Sequence, residues 1–383
     1  MKTLSAIVLT CLIAPARALQ CVDALGKAVD WWIALKRPGL SIPDGGPCPG
    51  STYMYMDDTR DSFARGECLE NPVGNPLSAS LDPIYSSPMT SYVIINDQPS
   101  SINETTRGMI DPELHAHAKG VLAYDREGGL WLTHSTPEFP NAPREPYTGI
   151  GACSASGECG PQHGQLRFGQ SFMCVSLRPD VLDSLASGLA IAAPVVASWR
   201  MVPSEDMPGV RAIVDAWESR AVVAARIVDW RSFASVAGQA FLHTVKSPTP
   251  RGQATYLYEE IIEPVLGDSL LVQSWSNIAS ECSRSDTEAT MTVAGLSFAE
   301  GTAWRAGFSD HSKWAVTVHD DIATVCVTDL NRDGLDPEWS EGPDRPQSLR
   351  GGGATCLRHP YLWSAITGAI TSTQPCVYDD SQE

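Results

Sequence analysis

Two segments with the pattern His-x-Lys constrain the fold of this chain more than any other feature: His117-Ala118-Lys119 and His311-Ser312-Lys313. Each stands at the start of an apolar run that turns back on itself. Residues two apart in a strand point to the same face, so each histidine projects beside its lysine. Two such units at matched positions predict a duplicated fold, in which each half supplies half of one phosphate-handling site.

The first unit is predicted to be a hairpin of Val121–Tyr124 and Leu130–Leu132, joined by a glycine-containing turn. With a three-residue loop at 126–128, Lys119 falls opposite Ser135 and His134 opposite Gly120. His134 then needs a bulge or twist to join the face of Lys119.

The second unit follows the same logic around a turn at 319–321. Pairing Val318 with Ile322 sets Lys313 opposite Val327 and His311 opposite Asp329. Asp329 and Asn331 then arrive where Ser135 and its neighbours lie in the first unit, and they are candidate supporting residues.

The chemistry of these side chains favours phosphoryl transfer. A neutral imidazole is a nucleophile and a protonated one is an acid. Two lysines supply cations for the oxygens of the transition state without a metal. One alternative is a metal site made by the nitrogens of His115, His117 and His134, but the second unit has no matching trio.

The N-terminus and the cysteines indicate export. Residues 1–18 combine Lys2, an apolar core at 4–13 and the small-x-small site Ala16-Arg17-Ala18, as in a signal peptide, and no stretch is long and apolar enough to span a bilayer. Ten cysteines remain after Cys11 leaves, which predicts five disulfides. Their pairing stays open, with Cys326–Cys356 as our one suggested pair. The sequon at Asn103 predicts a glycan.

The formal charge of −18 and the pI near 4.8 argue against general nucleic-acid binding at neutral pH. In an acidic compartment the carboxylates and all eight histidines would take up protons, so the net negative charge would become smaller. The simpler interpretation is that the acidity only keeps an exported protein soluble.

The fold class predicted from the sequence is α/β, with mixed sheets and flanking helices. About 365 residues exceed what one core usually supports, so we expect two lobes at 19–205 and 206–383, divided near Met201 to Gly209. Strands are predicted at 30–36, 53–56, 92–95 and 270–272, and helices at 182–197, 210–228 and 256–266; 71–91 is predicted to be a loop.

The chain resembles the deoxyribonuclease II family, within the phospholipase D-like structural group, over nearly the whole mature sequence. The resemblance lies in these blocks: Cys21-Val22-Asp23, Val29 to Trp32, His117 to Val121, Gly129 to Pro137, Leu270 to Trp275, Asp310 to Trp314, Cys326 to Asp329 with Asn331-Arg332, and Arg350 to Gly353. The wider phospholipase D pattern has an Asp five residues after each Lys. Tyr124 and Val318 stand there instead, which favours deoxyribonuclease II over a phospholipid hydrolase.

This resemblance implies two pseudo-symmetric lobes that form one active site and metal-independent endonuclease cleavage of DNA at acid pH, without a cofactor. The products would carry 3′-phosphate and 5′-hydroxyl ends. One histidine would form a phosphohistidine and the other would protonate the leaving oxygen, with His117, Lys119, His311 and Lys313 as catalytic residues. His134, Asp329 and Asn331 would support them.

The resemblance also implies a lysosomal or secreted protein, and a duplicated chain can complete its site as a monomer. Two alternatives stay open: a catalytically silent exported protein or toxin of the same fold, and a phosphodiesterase acting on RNA or lipid. Backbone-directed binding carries little base information, so the sequence does not separate these substrates.

Overall fold

The computed structural model describes residues 18–39, 47–48, 50–99, 110–111, 114–144, 146–151, 164–220, 225–250, 253–275, 290–298, 301–306, 309–332 and 347–374. The predicted export signal, apart from Ala18, and the sequon at Asn103 lie outside these residues. In the described part of the chain, no helix is long and apolar enough to cross a membrane.

The chain folds into two large β-sheets with helices around them, so the predicted α/β class with mixed sheets is confirmed. The first sheet has the strand order β3-β2-β1-β7-β6-β5-β4-β8. Its strands are β1 (Trp31–Lys36), β2 (Tyr53–Asp57), β3 (Ala64–Gly66), β4 (Ser91–Asn96), β5 (Lys119–Tyr124), β6 (Gly129–His134), β7 (Gln170–Leu177) and β8 (Val196–Arg200).

The second sheet has the order β13-β12-β11-β14-β15-β16-β10-β9, with β17 paired to β12. Its strands are β9 (Val228–Ala234), β10 (Ala240–Lys246), β11 (Leu270–Gln273), β12 (Met291–Phe298), β13 (Thr302–Arg305), β14 (Trp314–Thr317), β15 (Thr324–Thr328), β16 (Gly352–Arg358) and β17 (Ile370–Gln374).

Several helices accompany the sheets. They are α1 (Pro76–Ser86), α2 (Gly164–Arg167), α3 (Pro179–Leu189), α4 (Pro208–Ser219), α5 (Glu263–Leu266, continuing a π-helix at Leu257–Ile262) and α6 (Pro360–Thr367). Short 3₁₀ turns lie at Ala190–Ala192, Pro203–Glu205 and Gln347–Leu349.

The same arrangement of elements occurs twice. The strands β1-β7-β6-β5-β4 of the first sheet match β10-β16-β15-β14-β11 of the second, and all neighbours in both sets are antiparallel. A helix precedes the matching strands β4 and β11 in each half, α1 and α5 respectively. The predicted duplication is therefore confirmed at the level of strand order.

The two sheets share a core. Along β1, Trp31 and Ile33 face the core that also takes Val316 and Val325 from the second sheet, whereas Trp32 faces a second core under α1. A third core lies under α5, on the other face of the second sheet. Because both faces of each sheet are covered, the central strands are apolar without alternation. The first sheet ends before residue 205 and the second begins after it, but the division into two lobes there stays a prediction.

The predicted loop at 71–91 is wrong, because α1 lies within it. Asn75 caps this helix by accepting from the backbone N–H of Ser78, in a reciprocal capping box. Leu77, Leu81 and Ile84 form its buried stripe. Proline and serine residues made this segment look turn-like, although Pro76 occupies the first helical turn, where proline fits.

Two predicted helices are too long at their C-terminal ends. In place of the helix predicted at 182–197, α3 ends at Leu189, a 3₁₀ turn follows to Ala192, and β8 begins at Val196. In place of the helix predicted at 210–228, α4 ends at Ser219. In both cases a residue in the left-handed region, Ala193 (φ 54°) or Arg220 (φ 54°), ends the helical geometry.

Both predicted hairpin registers are wrong by one residue. In the first hairpin Tyr124 pairs with Gly129 and Gly120 with Thr133. The Asp125 carboxylate accepts from the N–H groups of Glu127 and Gly128, and the Asp125 N–H donates to the carbonyl of Gly128, so Asp125 lies opposite Gly128 and not opposite Gly129. Continuing this register puts Lys119 opposite His134, and no bulge is needed.

In the second hairpin Trp314 pairs with Val327, so the predicted pairs of Lys313 with Val327 and His311 with Asp329 are wrong. Instead the N–H of Thr328 donates to the carbonyl of Lys313 at 3.0 Å. The turn is longer than predicted because Ala323 adopts a left-handed conformation (φ 43°).

Three disulfides lie in the described part of the chain, and the predicted Cys326–Cys356 bond is one of them. These two cysteines face each other on the neighbouring strands β15 and β16. The others are Cys21–Cys174 and Cys48–Cys68. Cys153, Cys159, Cys282 and Cys376 lie outside the described residues.

Candidate active site

Each histidine of the two His-x-Lys units is anchored to the other half of the molecule. The backbone N–H of His117, just before β5, donates to the carbonyl of Gly351 at 2.9 Å. The backbone N–H of His311, just before β14, donates to the carbonyl of Gly169 at 3.0 Å. Gly169 and Gly351 immediately precede the matching strands β7 and β16. This exchange brings both units to the region where the two halves meet, which we call the cleft.

The His117 imidazole is held by Gln347. Its Nδ1 lies 2.6 Å from Gln347 Oε1, and an amide oxygen can only accept, so Nδ1 carries the proton. The neutral ring then has its lone pair on Nε2. The side chain is 13% exposed, and Nε2 lies 3.9 Å from Asp97 Oδ2. Burial, followed by the charge of Lys119, holds the pKa of His117 well below its usual value.

Asp97 forms a buried ion cluster with Lys119 and Arg350. Lys119 Nζ lies 2.5 Å from Asp97 Oδ1, and Arg350 Nη2 lies 2.8 Å from Asp97 Oδ2. Burial alone would raise the pKa of Asp97, but Lys119, His117 and Arg350 outweigh it and hold this pKa below the usual range. Asp97 is therefore a carboxylate at any mildly acidic pH.

The His311 imidazole lies among aromatic rings. Phe168 stacks on it with ring centroids 4.0 Å apart and planes 10° apart, and Trp275 lies against it at 5.2 Å. Its Nε2 is buried and has no hydrogen-bond partner among the described residues. Burial, with Lys313 and Lys119, lowers the pKa of His311 to about 3.

Lys313 and Asp329 are both buried, and both titrate near neutrality. Burial and then Lys119 lower the pKa of Lys313 to about 7. Burial raises the pKa of Asp329 to about 7, against the hydrogen bond that its Oδ2 accepts from Gly353 N–H at 2.9 Å. At acid pH the cleft therefore holds a charged lysine beside a neutral carboxyl group.

Electrostatic interactions cross between the halves. The charge of Lys313 lowers the pKa of His117, and the charge of Lys119 lowers the pKa of His311 and of Lys313. The four residues predicted from the two His-x-Lys units thus belong to one cluster.

The three predicted supporting residues lie at different depths. Asp329 interacts with the charges of Lys119 and Lys313, which both act to lower its pKa. Asn331 donates its backbone N–H to Gln347 Oε1 at 3.3 Å. His134 is fully buried between Phe139 and Phe172. Burial, together with Lys119, lowers the pKa of His134 to about 3, so this ring is a neutral packing group behind Lys119.

Several buried polar atoms at the cleft have no partner among the described residues: Arg350 Nε, His311 Nε2 and Asn331 Oδ1. Buried polar groups are rarely left unpaired, because each costs its full desolvation energy. Arg350 Nε is a donor and can bond to an acceptor oxygen that enters the site.

The alternative metal site of His115, His117 and His134 is not assembled. The His115 ring packs against Trp217, and its Nδ1 pairs with the backbone of Asp111. Across the described ranges, no group of three His, Cys, Asp or Glu residues is placed to bind a metal ion.

Sequence reasoning missed five residues of the site: Asp97, Phe168, Trp275, Gln347 and Arg350. Arg350 and Trp275 stood in blocks that carry the family resemblance, and Asp97 directly follows a strand that was predicted. Nothing in the sequence marks Gln347, because its role depends on a contact with a residue 230 positions away.

The comparisons with known proteins agree on one family. A family model described as Deoxyribonuclease II matches residues 20–376. The chain is 29% identical to deoxyribonuclease-2-alpha of Mus musculus, over 98% of this chain and 99% of that protein. It is 26% identical to cell-death-related nuclease 7 of Caenorhabditis elegans, with 94% and 88% covered. It is also 26% identical to plancitoxin-1 of Acanthaster planci, with 95% and 94% covered.

Asp97→Asn tests the buried ion cluster. The substitution leaves Lys119 and Arg350 buried without a countercharge, so we expect the free energy of unfolding to fall by about 3–5 kcal/mol. The control is Glu260→Gln, which breaks the half-exposed pair with Arg226 at 3.0 Å and should cost no more than about 1 kcal/mol. Urea unfolding at one pH measures both. Equal losses would contradict the assigned role of burial.

Asp329→Asn tests the raised carboxyl pKa. An aspartate in an unfolded chain titrates at about 3.9. The folded protein keeps the Asp329 proton up to about pH 7, so this group stabilises the fold at low pH and loses that contribution as the pH rises through this window. Relative to wild type, Asp329→Asn should therefore gain free energy of unfolding from pH 4 to 7.

The control for this experiment is Asp320→Asn, an exposed carboxylate at the turn of the same hairpin. Because this side chain is exposed to solvent, its substitution should change the free energy of unfolding by no more than about 0.5 kcal/mol. A difference for Asp329→Asn that stays constant or shrinks as the pH rises would show that the carboxyl is already ionised in the acid range.

Proposed function

The chain belongs to the deoxyribonuclease II family, and from this premise we propose that it is a deoxyribonuclease that cleaves phosphodiester bonds in the cleft between His117 and His311. The observation that carries the proposal is the pair of reciprocal hydrogen bonds from these two histidines to Gly351 and Gly169. They support a site that contains two imidazoles and two lysines, as a two-step phosphoryl transfer requires.

In this scheme one imidazole attacks the phosphorus and forms a phosphohistidine, while the other protonates the departing 5′ oxygen. Water, deprotonated by the second imidazole, then hydrolyses the phosphohistidine. The products are a 3′-phosphate and a 5′-hydroxyl group. Two displacements at one phosphorus need no metal, provided that cations of the protein hold the non-bridging oxygens.

Lys119, Lys313 and Arg350 supply these cations in our proposal. Asp97 offsets part of their charge and fixes Lys119 and Arg350 in place. The unpartnered Nε of Arg350 can donate to a phosphate oxygen. Fixed cations in a site without much water act strongly on the charge of the transition state.

The cleft supports an acid optimum. Below about pH 7 Lys313 is charged and Asp329 is neutral, so the cleft attracts a phosphate anion more strongly than at higher pH. Before a substrate binds, both imidazoles are neutral, because burial and the lysines lower the pKa of each. A bound phosphodiester adds a negative charge, which raises the pKa of the proton donor, and acid pH then favours its protonation.

Three disulfides among the described residues suit an oxidising or lysosomal environment, and together with the predicted signal peptide they support a secreted or lysosomal protein. One chain supplies both half-sites, so we propose that the monomer is active. Contacts to the phosphate backbone carry little base information, so we propose an endonuclease with little sequence preference.

His117→Ala and His311→Ala should each lower DNA cleavage by at least about 10³-fold, because each removes a group that acts at the phosphorus or at the leaving oxygen. The measurement is plasmid nicking in mildly acidic buffer. His319→Ala is the control. This ring is 56% exposed and lies at the turn of the second hairpin, at the other end of β14 from His311, so the substitution should leave cleavage unchanged.

Substantial cleavage by either histidine variant would end the two-histidine scheme. Inactivity of the folded wild type on DNA would favour the catalytically silent alternative. Faster hydrolysis of RNA or phosphatidylcholine than of DNA would instead assign the other phosphodiesterase alternative.

EDTA should leave the cleavage rate unchanged, because the proposed scheme draws its positive charge from lysine and arginine. The measurement is nicking with and without the chelator, beside a magnesium-dependent nuclease that loses its activity in the same buffer. A strict requirement for an added divalent ion would overturn metal independence and return attention to His115.

A further inference from the structure

The duplicated fold allows the segments just before β7 and β16 to be compared residue by residue. Gly169 and Gly351 accept from the backbone N–H groups of His311 and His117, so these two glycines are equivalent. The residues before them therefore correspond in pairs: Phe168 with Arg350, and Arg167 with Leu349.

Two buried lysines support this alignment. Lys36 Nζ, at the end of β1, donates to the carbonyl of Leu166 at 3.1 Å. Lys246 Nζ, at the end of β10, donates to the carbonyl of Ser348 at 2.9 Å. Leu166 and Ser348 form the next pair, so the backbone of both segments is held in the same way and the segments differ in their side chains.

Each segment carries one arginine, but at neighbouring rather than equivalent positions. Arg350 is buried and belongs to the ion cluster beside His117. Arg167 stands one position earlier in its own segment, and its side chain is exposed. The position equivalent to Arg167 in the other half holds Leu349, which is buried. The two halves therefore differ in where they place a positive charge.

Arg167 lies one aromatic layer outside His311. Phe168 stacks on the His311 imidazole with ring centroids 4.0 Å apart. The guanidinium carbon of Arg167 lies over the same phenyl ring, 5.3 Å from its centroid. Since the imidazole covers one face of Phe168, the guanidinium lies on the other face. A positive charge therefore stands at the edge of the cleft, separated from the imidazole by one ring.

The charge of Arg167 is not committed to a carboxylate. Two other exposed arginines, Arg178 and Arg211, form ion pairs with aspartates, whereas no ion pair within the described residues includes Arg167. A guanidinium that packs on a ring by its face keeps the N–H groups at its edge, and these can donate to two oxygens of a phosphate. In a chain with a formal charge of −18, an arginine without a countercharge at this point suits an anionic ligand.

The backbone that carries Arg167 is held in place. Lys36 binds the carbonyl of the preceding residue, and the side chain of Gln165 donates to the carbonyl of Pro137 at 2.8 Å. The same side chain accepts from Gly151 N–H at 2.5 Å. Because both its backbone and its stack position the guanidinium, less conformational entropy is lost on binding than for a free surface arginine.

We propose that Arg167 binds a second phosphate of the DNA strand, the one next to the scissile phosphate on the His311 side. This inference rests on the proposed function, which places the scissile phosphate between His117 and His311. Each nucleotide of a strand adds one phosphate, so a strand that passes His311 brings the next phosphate to the edge of the cleft. Arg350 then serves the scissile phosphate and Arg167 serves its neighbour.

This subsite makes the two sides of the substrate unequal. Leu349 carries no charge at the position equivalent to Arg167, so of the two flanking phosphates only the one on the His311 side gains a charge-assisted contact from these segments. The preferred substrate is therefore a strand with consecutive phosphodiester linkages. The contact tightens binding without reading a base.

Neutralising one phosphate at a time tests the subsite. The probe is tetrathymidylate in which the first, the last or neither linkage is a methylphosphonate, an uncharged group that replaces the phosphate. The initial rate of cleavage at the middle linkage by the full chain, in mildly acidic buffer and with the products separated by chromatography, gives kcat/KM. For wild type, one of the two replacements should lower kcat/KM about 10-fold more than the other, because it removes a charge-assisted contact.

Arg167→Gln should lower kcat/KM for the unmodified tetramer by about 10-fold and should abolish the difference between the two replacements. The slope of log kcat/KM against log salt concentration should also become smaller by about 0.7, the value for one phosphate contact to a single strand. Arg167→Lys retains the charge but not the two parallel donors, so its kcat/KM should lie between those of wild type and Arg167→Gln.

The matched control is Arg178→Gln, which removes an exposed arginine at the far end of β7 from the cleft. It should behave as wild type on every probe. An Arg167→Gln protein that still distinguishes the two replacements would show that another group binds the flanking phosphate.

Equal sensitivity of wild type to the two replacements would show that neither flanking phosphate is bound in preference to the other, and would overturn the subsite. A loss that follows removal of a flanking base, with an abasic residue in place of one thymidine, and not removal of the charge would replace the phosphate by a nucleobase as the ligand of Arg167. Inactivity of wild type on plasmid DNA would instead contradict the proposed function itself.

Discussion

The buried Asp97 carboxylate is the interaction on which the cleft depends. It joins Lys119, which enters from β5, to Arg350, which lies 253 residues after Asp97 in the chain. Two cations and one carboxylate out of water are stable only as a complete set, because removal of one member leaves an uncompensated buried charge. The set keeps a surplus of positive charge beside His117 and fixes it in space, which a phosphate site requires.

A second pair of buried charges supports the same region from behind. Lys36 and Lys246 hold the backbone segments just before β7 and β16 by donating to their carbonyl groups. Those segments carry Phe168 and Gly169 in one half, and Gln347 to Gly351 in the other. Each imidazole is therefore packed against a segment that one of these lysines holds, and the two lysines end the matching strands β1 and β10.

The sequence predicted the repeat and both His-x-Lys units because alternation and turn chemistry are local signals. It failed at the two turns, where the Asp125 carboxylate binds the N–H groups of the first turn and Ala323 adopts a left-handed backbone conformation in the second. The loop predicted over α1 shows the same limit, since its prolines and serines are also good residues for a helix N-terminus. Gln347 was beyond reach, because only the packing of the two halves brings it to His117.

The exchange of hydrogen bonds between the halves has a consequence for the newly made protein. His117 is synthesised early, yet the glycine and the glutamine that seat it come more than two hundred residues later. A chain released only as far as the first sheet therefore lacks the groups that hold His117 in place. If His117 acts as we propose, cleavage has to wait until β16 has joined the second sheet.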